Sequence, residues 1–238
     1  MTTFSEQFPI VFQALNVGFV QTLKLFFITL IGAIPLGLII SFGSMSAWRP
    51  FRVFRSVKWL SEFKPVRAIT RLVIWVVRGT PLMLQLMVVY YGPFLLFDFT
   101  PPGNWRFGAV IVGFVINYAA YFAEIYRAGY ESIPVGQFEA AQVLGYRKGQ
   151  TFFRIILPQM VKRVLPSVTN EVITLVKDTS LASVIGTVEM FTRAKQIAVA
   201  PNSPGMLAFA AAAVFYFVFN SLVAFAMERI EKAFAYYR

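Results

Sequence analysis

Long apolar runs, separated by short polar segments, constrain this chain more than any other feature. Of its 238 residues, 58% are hydrophobic and 14% are charged, and the mean hydropathy is +0.65. A helix needs about 20 mainly apolar residues to cross a bilayer, and about five runs reach that length. They lie at about residues 18–43, 69–96, 107–126, 165–187 and 206–227. Because backbone polar groups in lipid must be bonded internally, the sequence predicts an all-α, polytopic membrane protein.

The spans account for almost the whole chain. We see no internal duplication, low-complexity segment or soluble domain, so we expect residues 1–238 to form a single transmembrane domain. Residues 1–16 lack a basic stretch and contain Glu6 and Pro9, which argues against a cleavable signal peptide. The first span is therefore expected to be retained.

Several kinds of chemistry are disfavoured by composition. The chain has no Cys and no His, which removes disulfides, the usual zinc ligand sets and His-dependent catalysis. We therefore predict no catalytic residue and no metal site. The sequence also has no P-loop, so the chain is not expected to hydrolyse ATP by itself. We predict that it binds no cofactor.

The basic residues predict the orientation in the membrane. They cluster after the first, third and fifth spans: Arg49, Arg52, Arg55, Lys58, Lys64, Arg67, Arg71; Arg127, Arg147, Lys148, Arg154, Lys162, Arg163; Arg229, Lys232, Arg238. The opposite loops contain only Arg106, Arg193 and Lys195. Cytoplasmic loops carry the excess of Lys and Arg. The N-terminus is thus expected outside and the C-terminus in the cytoplasm, and the net charge of +11 needs no nucleic-acid partner.

The first basic loop, residues 44–71, has two interpretations. Arg49, Arg52 and Arg55 are three residues apart and would share one helical face, which could contact anionic lipid headgroups. The same charges are also explained by the topology alone. The sequence leaves this choice open.

A polar segment between the third and fourth spans carries the most specific pattern in the chain. It contains Glu139-Ala140-Ala141, then Gly145, and ends with Leu157-Pro158. Pro134 suits the first turn of a short helix, and Gly145 can end that helix in a left-handed conformation. A second short helix, about residues 148–157, is expected to end before Pro158.

This segment resembles the cytoplasmic EAA loop of ABC importer permeases, and the resemblance extends over roughly residues 14–230. It implies that Glu139, Ala140, Ala141 and Gly145 form a coupling helix, within a loop at about residues 128–164, that docks into a separate ABC ATPase subunit. That partner would hydrolyse the ATP. A second permease chain, identical or related, and an extracytoplasmic substrate-binding protein are further implied partners, in a bacterial cell membrane.

The second span contains Arg78-Gly-Thr-Pro-Leu-Met-Leu-Gln85, which resembles a signature of the polar amino acid subfamily of these permeases. Gly79 and Pro81 would loosen the helix, and such breaks are tolerated where they line a cavity or are buried in protein. Gln85 needs a polar partner inside the membrane. Pairing with another helix and contact with substrate are both compatible with its position.

The fourth span is unusually polar. Glu171, Thr174 and Asp178 are spaced to share one helical face, and Asn170 and Lys177 flank it. Each intramembrane charge costs about 2.5–3.5 kcal/mol on insertion scales, so these residues are candidates for function. An internal ion-pair network with Lys177 or Arg78 is the structural alternative. Two acids beside one local base favour a site for a cation, and the Lys-Asp-Thr-Ser-Leu sequence again resembles the amino acid subfamily.

The third span adds Asn117, Tyr121 and Glu124 on one face. We expect Glu124 to pair with Arg127, which leaves Asn117 as the better candidate for the substrate pathway.

Together these features predict a permease subunit of an ABC importer for polar, preferentially cationic, amino acids. The predicted pathway residues are Glu171, Asp178, Thr174, Asn170, Gln85 and Asn117. Glutamine, glutamate or cystine are alternative substrates. An integral membrane lipid-modifying enzyme is an alternative of another class, disfavoured because the chain has no His, no Cys and no paired-acid metal motif at the interface. A passive channel or an assembly factor is a third class, and it would not need the segment at Glu139.

Overall fold

The computed structural model describes residues 4–53, 61–98, 100, 102–201 and 203–234. Every regular element within these residues is helical, which confirms the all-α prediction. The helices are α1 (Phe4–Met45), α2 (Pro65–Gly79), α3 (Leu82–Phe97), α4 (Trp105–Glu131), α5 (Val135–Val143), α6 (Lys148–Thr151), α7 (Leu157–Asp178), α8 (Met190–Ala198) and α9 (Gly205–Phe234). Two 3₁₀ segments, Pro50–Val53 and Thr179–Ile185, and a π turn, Phe152–Ile156, complete them.

Three of the described helices, α1, α4 and α9, are long and apolar enough to cross a membrane. The pair α2 and α3 passes the same test as one broken span. Helix α7 is not among them, because its 22 residues include Lys162, Arg163, Glu171, Lys177 and Asp178. Several apolar spans are therefore confirmed, and the predicted fourth span, which corresponds to α7, stays a prediction.

The predicted second span is present as a broken span. It is not continuous over residues 69–96, because α2 ends at Gly79 and α3 begins at Leu82. Pro81 has no N–H to donate to the ladder, and its extended backbone (φ −62°, ψ 133°) precedes the new helix. The predicted loosening at Gly79 and Pro81 is confirmed.

The helical boundary at Pro158 was wrong. The chain continues from α6 through the π turn into α7, with Pro158 in the first turn of α7. A π turn changes the hydrogen-bond register, which lets the helix accept a residue without a donor. Helix α7 therefore begins at Leu157 instead of near residue 165, and after Asp178 it tightens into the 3₁₀ segment. Residues 54–60 of the basic loop lie outside the described residues, so its proposed helical face stays a prediction.

The structure divides into two compact units. The first comprises Met1–Gly32, Thr80–Val115 and Glu171–Glu228. Its core joins α1, α8 and α9 through Val11, Leu15, Met190, Ala194, Ala208 and Ala212. A Cβ on Gly18 would lie 2.7 Å from the Cα atom of Met190, so α1 and α8 approach closely only because this residue is a glycine. Helix α3 packs against the 3₁₀ segment Thr179–Ile185 in the same unit.

The second unit comprises Ala33–Gly79, Ile116–Asn170 and Arg229–Arg238. Small residues again set the packing distance, because a Cβ on Gly37 would lie 2.7 Å from the Phe122 Cβ and one on Gly129 would lie 2.1 Å from a Val164 methyl. Tyr118 and Phe122 are buried on α4. This unit carries the α5–α6 segment.

Candidate functional site

The predicted acidic face of α7 lies in the first unit. Glu171, Thr174 and Asp178 are each partly buried, whereas Lys177 is exposed. Three apolar residues that lie between Glu171 and Asp178 in the sequence are buried: Val172, Leu175 and Val176. The two acids are seven positions apart in the sequence, which corresponds to about 10 Å along a helix axis. One side of α7 thus presents two carboxyl groups and a hydroxyl.

The end of α7 is held by local hydrogen bonds. The Thr179 Oγ1 donates to the Val176 carbonyl at 2.7 Å, and the Ser180 Oγ donates to the Lys177 carbonyl at 2.8 Å. These bonds satisfy carbonyl groups that a helix end would otherwise leave without a partner. Asp178 therefore stands where the α-helix changes to a 3₁₀ helix.

Gln85 lies beside the break between α2 and α3. Its Nε2 donates to the Thr80 carbonyl at 3.0 Å and to the Thr80 Oγ1 at 2.8 Å. The backbone N–H groups of Leu84 and Gln85 both donate to the Pro81 carbonyl. These bonds lie within the broken span and brace the break. The two interpretations of Gln85, pairing with another span and contact with substrate, both stay predictions.

Asn117 and Asn170 belong to the second unit. Asn117 is buried on α4 and Asn170 is exposed on α7. Arg78, near the end of α2, contacts two residues farther along α4. Its guanidinium carbon lies 5.1 Å from the centre of the Tyr121 ring, and its Nη1 lies 3.8 Å from a Glu124 carboxylate oxygen.

The predicted pair of Glu124 and Arg127 is confirmed, with the Arg127 Nε 3.1 Å from the Glu124 Oε2. Arg127 also pairs with Glu131, and Arg71 lies 3.6 Å from Glu131. Three arginines and two glutamates thus form one network, and Arg78 pairs with Glu124 on α4.

The segment around Glu139 has the predicted form. Helix α5 is followed by Gly145 at φ 75°. The Tyr146 N–H donates to the Ala141 carbonyl and the Gly145 N–H donates to the Gln142 carbonyl. This is the Schellman pattern of helix ends, which requires a left-handed residue. The prediction that Gly145 ends the helix is confirmed.

The surface of α5 is unusually apolar. Ala141 is buried, whereas Glu139 and Ala140 are exposed. Val143 is 87% exposed and Leu144 is 72% exposed. Exposed large apolar side chains beside a rigid helix end are typical of a surface that another protein covers.

One buried structural carboxylate, Glu189, was not predicted from the sequence. This residue is 1% exposed and caps α8, since its carboxylate accepts the Phe191 N–H at 2.7 Å and the Thr192 N–H at 2.6 Å. It also accepts the Thr192 hydroxyl at 2.9 Å and the Tyr216 hydroxyl at 3.0 Å. Burial raises the pKa of the Glu189 carboxyl above its usual value, and these hydrogen bonds oppose the shift. Three of these donors belong to α8, and the Tyr216 hydroxyl links the cap to α9.

Residues 34–236 match the family model described as "binding-protein-dependent transport system inner membrane component". The chain belongs to this family. The permease is therefore a transport component of the inner membrane, and the predictions of a permease and of a non-enzymatic role are confirmed.

Named relatives agree with this assignment. The permease is 36% identical over 190 residues to the arginine transport system permease protein ArtQ of Bacillus subtilis, covering 80% of this chain and 77% of that protein. It is 34% identical over 173 residues to the L-cystine transport system permease protein TcyB of the same organism, covering 73% and 72%. A solved amino acid ABC transporter with histidines superposes with a TM-score of 0.82 at 29% identity, covering 98% of this chain and 100% of that one.

Proposed function

We propose that the permease imports polar amino acids, with a preference for cationic ones, and that Glu171 and Asp178 supply the charge selectivity. The acidic face of α7 is the observation that carries this proposal. Two carboxyl groups about 10 Å apart along the helix can receive the α-amino group and the side-chain cation of one extended substrate. Thr174, Asn170, Gln85 and Asn117 complete the proposed pathway.

The relatives support amino acids as the substrate class. One is named for arginine and one for cystine. Cystine, glutamine and glutamate stay alternatives within this class. Cystine carries two amino groups as well as two carboxylates, so the acidic face of α7 alone does not separate it from arginine.

We further propose that the segment at about residues 128–164 couples the permease to separate ABC ATPase subunits. In this proposal residues 1–238 act as one permease domain and Glu139, Ala140, Ala141 and Gly145 form its coupling helix. The exposure of Val143 and Leu144 supports this role. A second permease chain, an extracytoplasmic binding protein and surrounding lipid are the other proposed partners. The ATPase subunits hydrolyse the ATP.

The basic clusters at Arg49–Arg71 and Arg127–Arg163 support a cytoplasmic location for both loops. In this orientation the C-terminus is cytoplasmic, the N-terminus is outside, and Arg106 and Arg193 lie on the outer side. The proposed coupling segment then faces the compartment that contains ATP.

The selectivity proposal is tested with Asp178→Asn and Glu171→Gln, which keep side-chain size while removing one charge each. Losing a charge-assisted hydrogen bond costs about 1.5–3 kcal/mol, or roughly tenfold to a hundredfold in affinity. We expect that loss for arginine and lysine, and a smaller change for glutamine. The measurement is ATP-driven uptake of each labelled amino acid by the assembled transporter in vesicles.

The matched control is Asp98→Asn, because Asp98 is exposed at the end of α3 and its φ of 49° suits Asn as well as Asp. Retention of the ATPase subunits during purification verifies assembly of every variant. An equal loss for cationic and neutral amino acids, with assembly intact, would show that the acids act in structure or gating.

A further inference from the structure

A cleft in the first unit, separate from the acidic face of α7, concentrates positive charge. It has a volume of about 490 Å³. Its polar lining consists of Gln21, Asn104, Arg106, Thr187 and Arg193. No carboxylate lines it among the residues that the structure describes.

Both arginines are held in place by neutral groups. The Arg106 guanidinium donates to the Gly186 carbonyl at 3.3 Å and to the Tyr90 hydroxyl at 3.4 Å. The Arg193 guanidinium donates to the Gln196 Oε1 at 3.1 Å. Neither arginine forms an ion pair with a described carboxylate, in contrast to Arg71, Arg78 and Arg127 of the second unit.

The cleft also contains hydrogen-bonding groups that the described protein residues leave unsatisfied. Thr187 is 5% exposed, and its Oγ1 has no hydrogen-bond partner among them. The same holds for the buried Nε of Arg193. Both atoms are shielded from solvent, and an unsatisfied buried polar group costs about 1–3 kcal/mol, so a ligand that reached these atoms would gain by bonding them.

The chemistry of these groups selects the ligand. Guanidinium groups bind carboxylates with paired, charge-assisted hydrogen bonds, and a hydroxyl adds a further donor. A cation would meet two positive charges and no acid. We propose that this cleft binds the α-carboxylate of an amino acid on the outer side of the membrane, before its amino and side-chain groups reach Glu171 and Asp178.

This inference rests on the proposed import of amino acids and on the proposed orientation. It divides recognition of a cationic amino acid between two places on one chain. The arginine cleft accepts the carboxylate that every amino acid has. The acidic face of α7 then discriminates by side-chain charge.

The test uses Asn104→Cys, which places a single thiol at the cleft, because the natural chain has no Cys. The assembled transporter is labelled with two impermeant methanethiosulfonates, one carrying a sulfonate and the other a trimethylammonium group. We expect faster modification by the anionic reagent. Replacing Arg106 or Arg193 with Gln should lower the anionic-to-cationic rate ratio about tenfold, as expected for one charge near the thiol.

Lys195→Gln is the matched control. Lys195 lies on α8 with Arg193, is exposed and does not line the cleft. Its removal changes the net charge equally and should leave the ratio within about twofold, because Lys195 is exposed to solvent, where salt screens its charge, and does not line the cleft. Using both Arg106→Gln and Arg193→Gln separates the charge effect from local loosening, since only Arg106 bonds the Gly186 carbonyl.

Protection from labelling then identifies the ligand. Arginine or glutamine should slow modification of the Asn104→Cys thiol, whereas agmatine, which is arginine without its carboxylate, should not. Protection should be lost in Arg193→Gln. A rate ratio that does not depend on the arginines, or equal protection by agmatine and arginine, would overturn the proposal, as would no protection by either amino acid. None of these readouts requires transport, so a failure here is distinct from a failure of the import proposal.

Discussion

Helices α5 and α8 are both nine residues long, but their apolar side chains lie in opposite environments. Helix α8 buries Met190 and Ala194 in the core of the first unit. In α5, Ala141 is buried, whereas Val143 and the following Leu144 are exposed. The burial of α8 makes it part of the core of the first unit. The exposed apolar side chains at the end of α5 are the feature on which its proposed binding role rests.

Their ends differ in the same sense. The N-terminus of α8 is fixed by the buried carboxylate of Glu189, which also bonds Tyr216 of α9. The C-terminus of α5 is fixed by its own backbone through Gly145. A helix that relies on local bonds keeps its shape while its surface stays available to a partner.

The largest expected effect tests the binding role of α5. The double change Val143→Ser and Leu144→Ser removes two exposed apolar side chains, and full burial of each contributes about 1.5–3 kcal/mol. We expect retention of the ATPase subunits during purification to weaken more than a hundredfold, with thermal stability of the permease itself nearly unchanged. The stability of these surface variants should stay within about 0.5 kcal/mol.

Val199→Ser is the control for this prediction, because Val199 is 76% exposed at the end of α8. It should leave ATPase retention unchanged. Equal retention by the α5 double variant and by wild type would remove the distinction between the two helices.

The next effect tests the structural role of α8. Glu189→Ala removes the acceptor for two backbone N–H groups and two hydroxyls. Because these buried donors would be left unsatisfied, we expect the free energy of unfolding to decrease by about 2–3 kcal/mol. Thermal unfolding of the purified permease in detergent measures it, and Lys195→Ala, an exposed change on the same helix, should shift the midpoint little. Similar midpoints for both variants would contradict the capping role.

A smaller effect concerns the end of α5. A Cβ atom added at Gly136 or at Gly145 would have no other atom within 4 Å. Of these two glycines, only Gly145 has a positive φ. A left-handed residue other than glycine costs roughly 1–2 kcal/mol, whereas Ala inside a helix gains about 0.5–1 kcal/mol over Gly. Gly145→Ala should therefore increase amide hydrogen exchange across residues 135–146, and Gly136→Ala should decrease it. Changes of the same sign in both variants would show that backbone conformation is not the cause.

Gly145→Val extends this comparison, because a β-branched residue is strained more strongly at positive φ. We expect this variant to insert normally but to lose ATP-driven uptake. Normal uptake by this variant would show that the conformation at the end of α5 is not needed for coupling to the ATPase.

Local patterns predicted the elements whose partners are close in sequence. The left-handed Gly145 followed from a glycine placed after a short helix, and the Glu124–Arg127 pair followed from spacing on one helix face. The broken second span followed in part from Gly79 and Pro81. The continuation through Pro158 did not, because a π turn depends on how the whole segment packs and not on one residue.

Features with distant partners could not be predicted in this way. Glu is not a preferred N-cap residue, and its partner Tyr216 lies on another helix. A capping box has Ser or Thr at the N-cap and Glu or Gln three residues later. Glu189 and Thr192 stand in the reverse order, so no standard sequence signal marks this cap. The arginine cleft was missed for a similar reason, since Arg106 and Arg193 entered the sequence analysis only as counts of charge on one side of the membrane.

The smallest expected effect separates the two helices by their response to pH. Burial raises the folded-state pKa of Glu189 above its unfolded value, which is about 4.3 for an ordinary glutamate. Between these two values the folded state binds more protons than the unfolded state, so stability decreases as pH rises through that window. The stability that protonation of Glu189 contributes is therefore complete below its unfolded-state pKa and is lost above its folded-state pKa. The midpoint of thermal unfolding, measured upward from about pH 4.3, should therefore fall more in wild type than in Glu189→Gln. Glu139→Gln, which removes an exposed carboxyl group from α5, should keep the wild-type dependence. If Glu189→Gln also kept it, titration of the buried cap would not be its source.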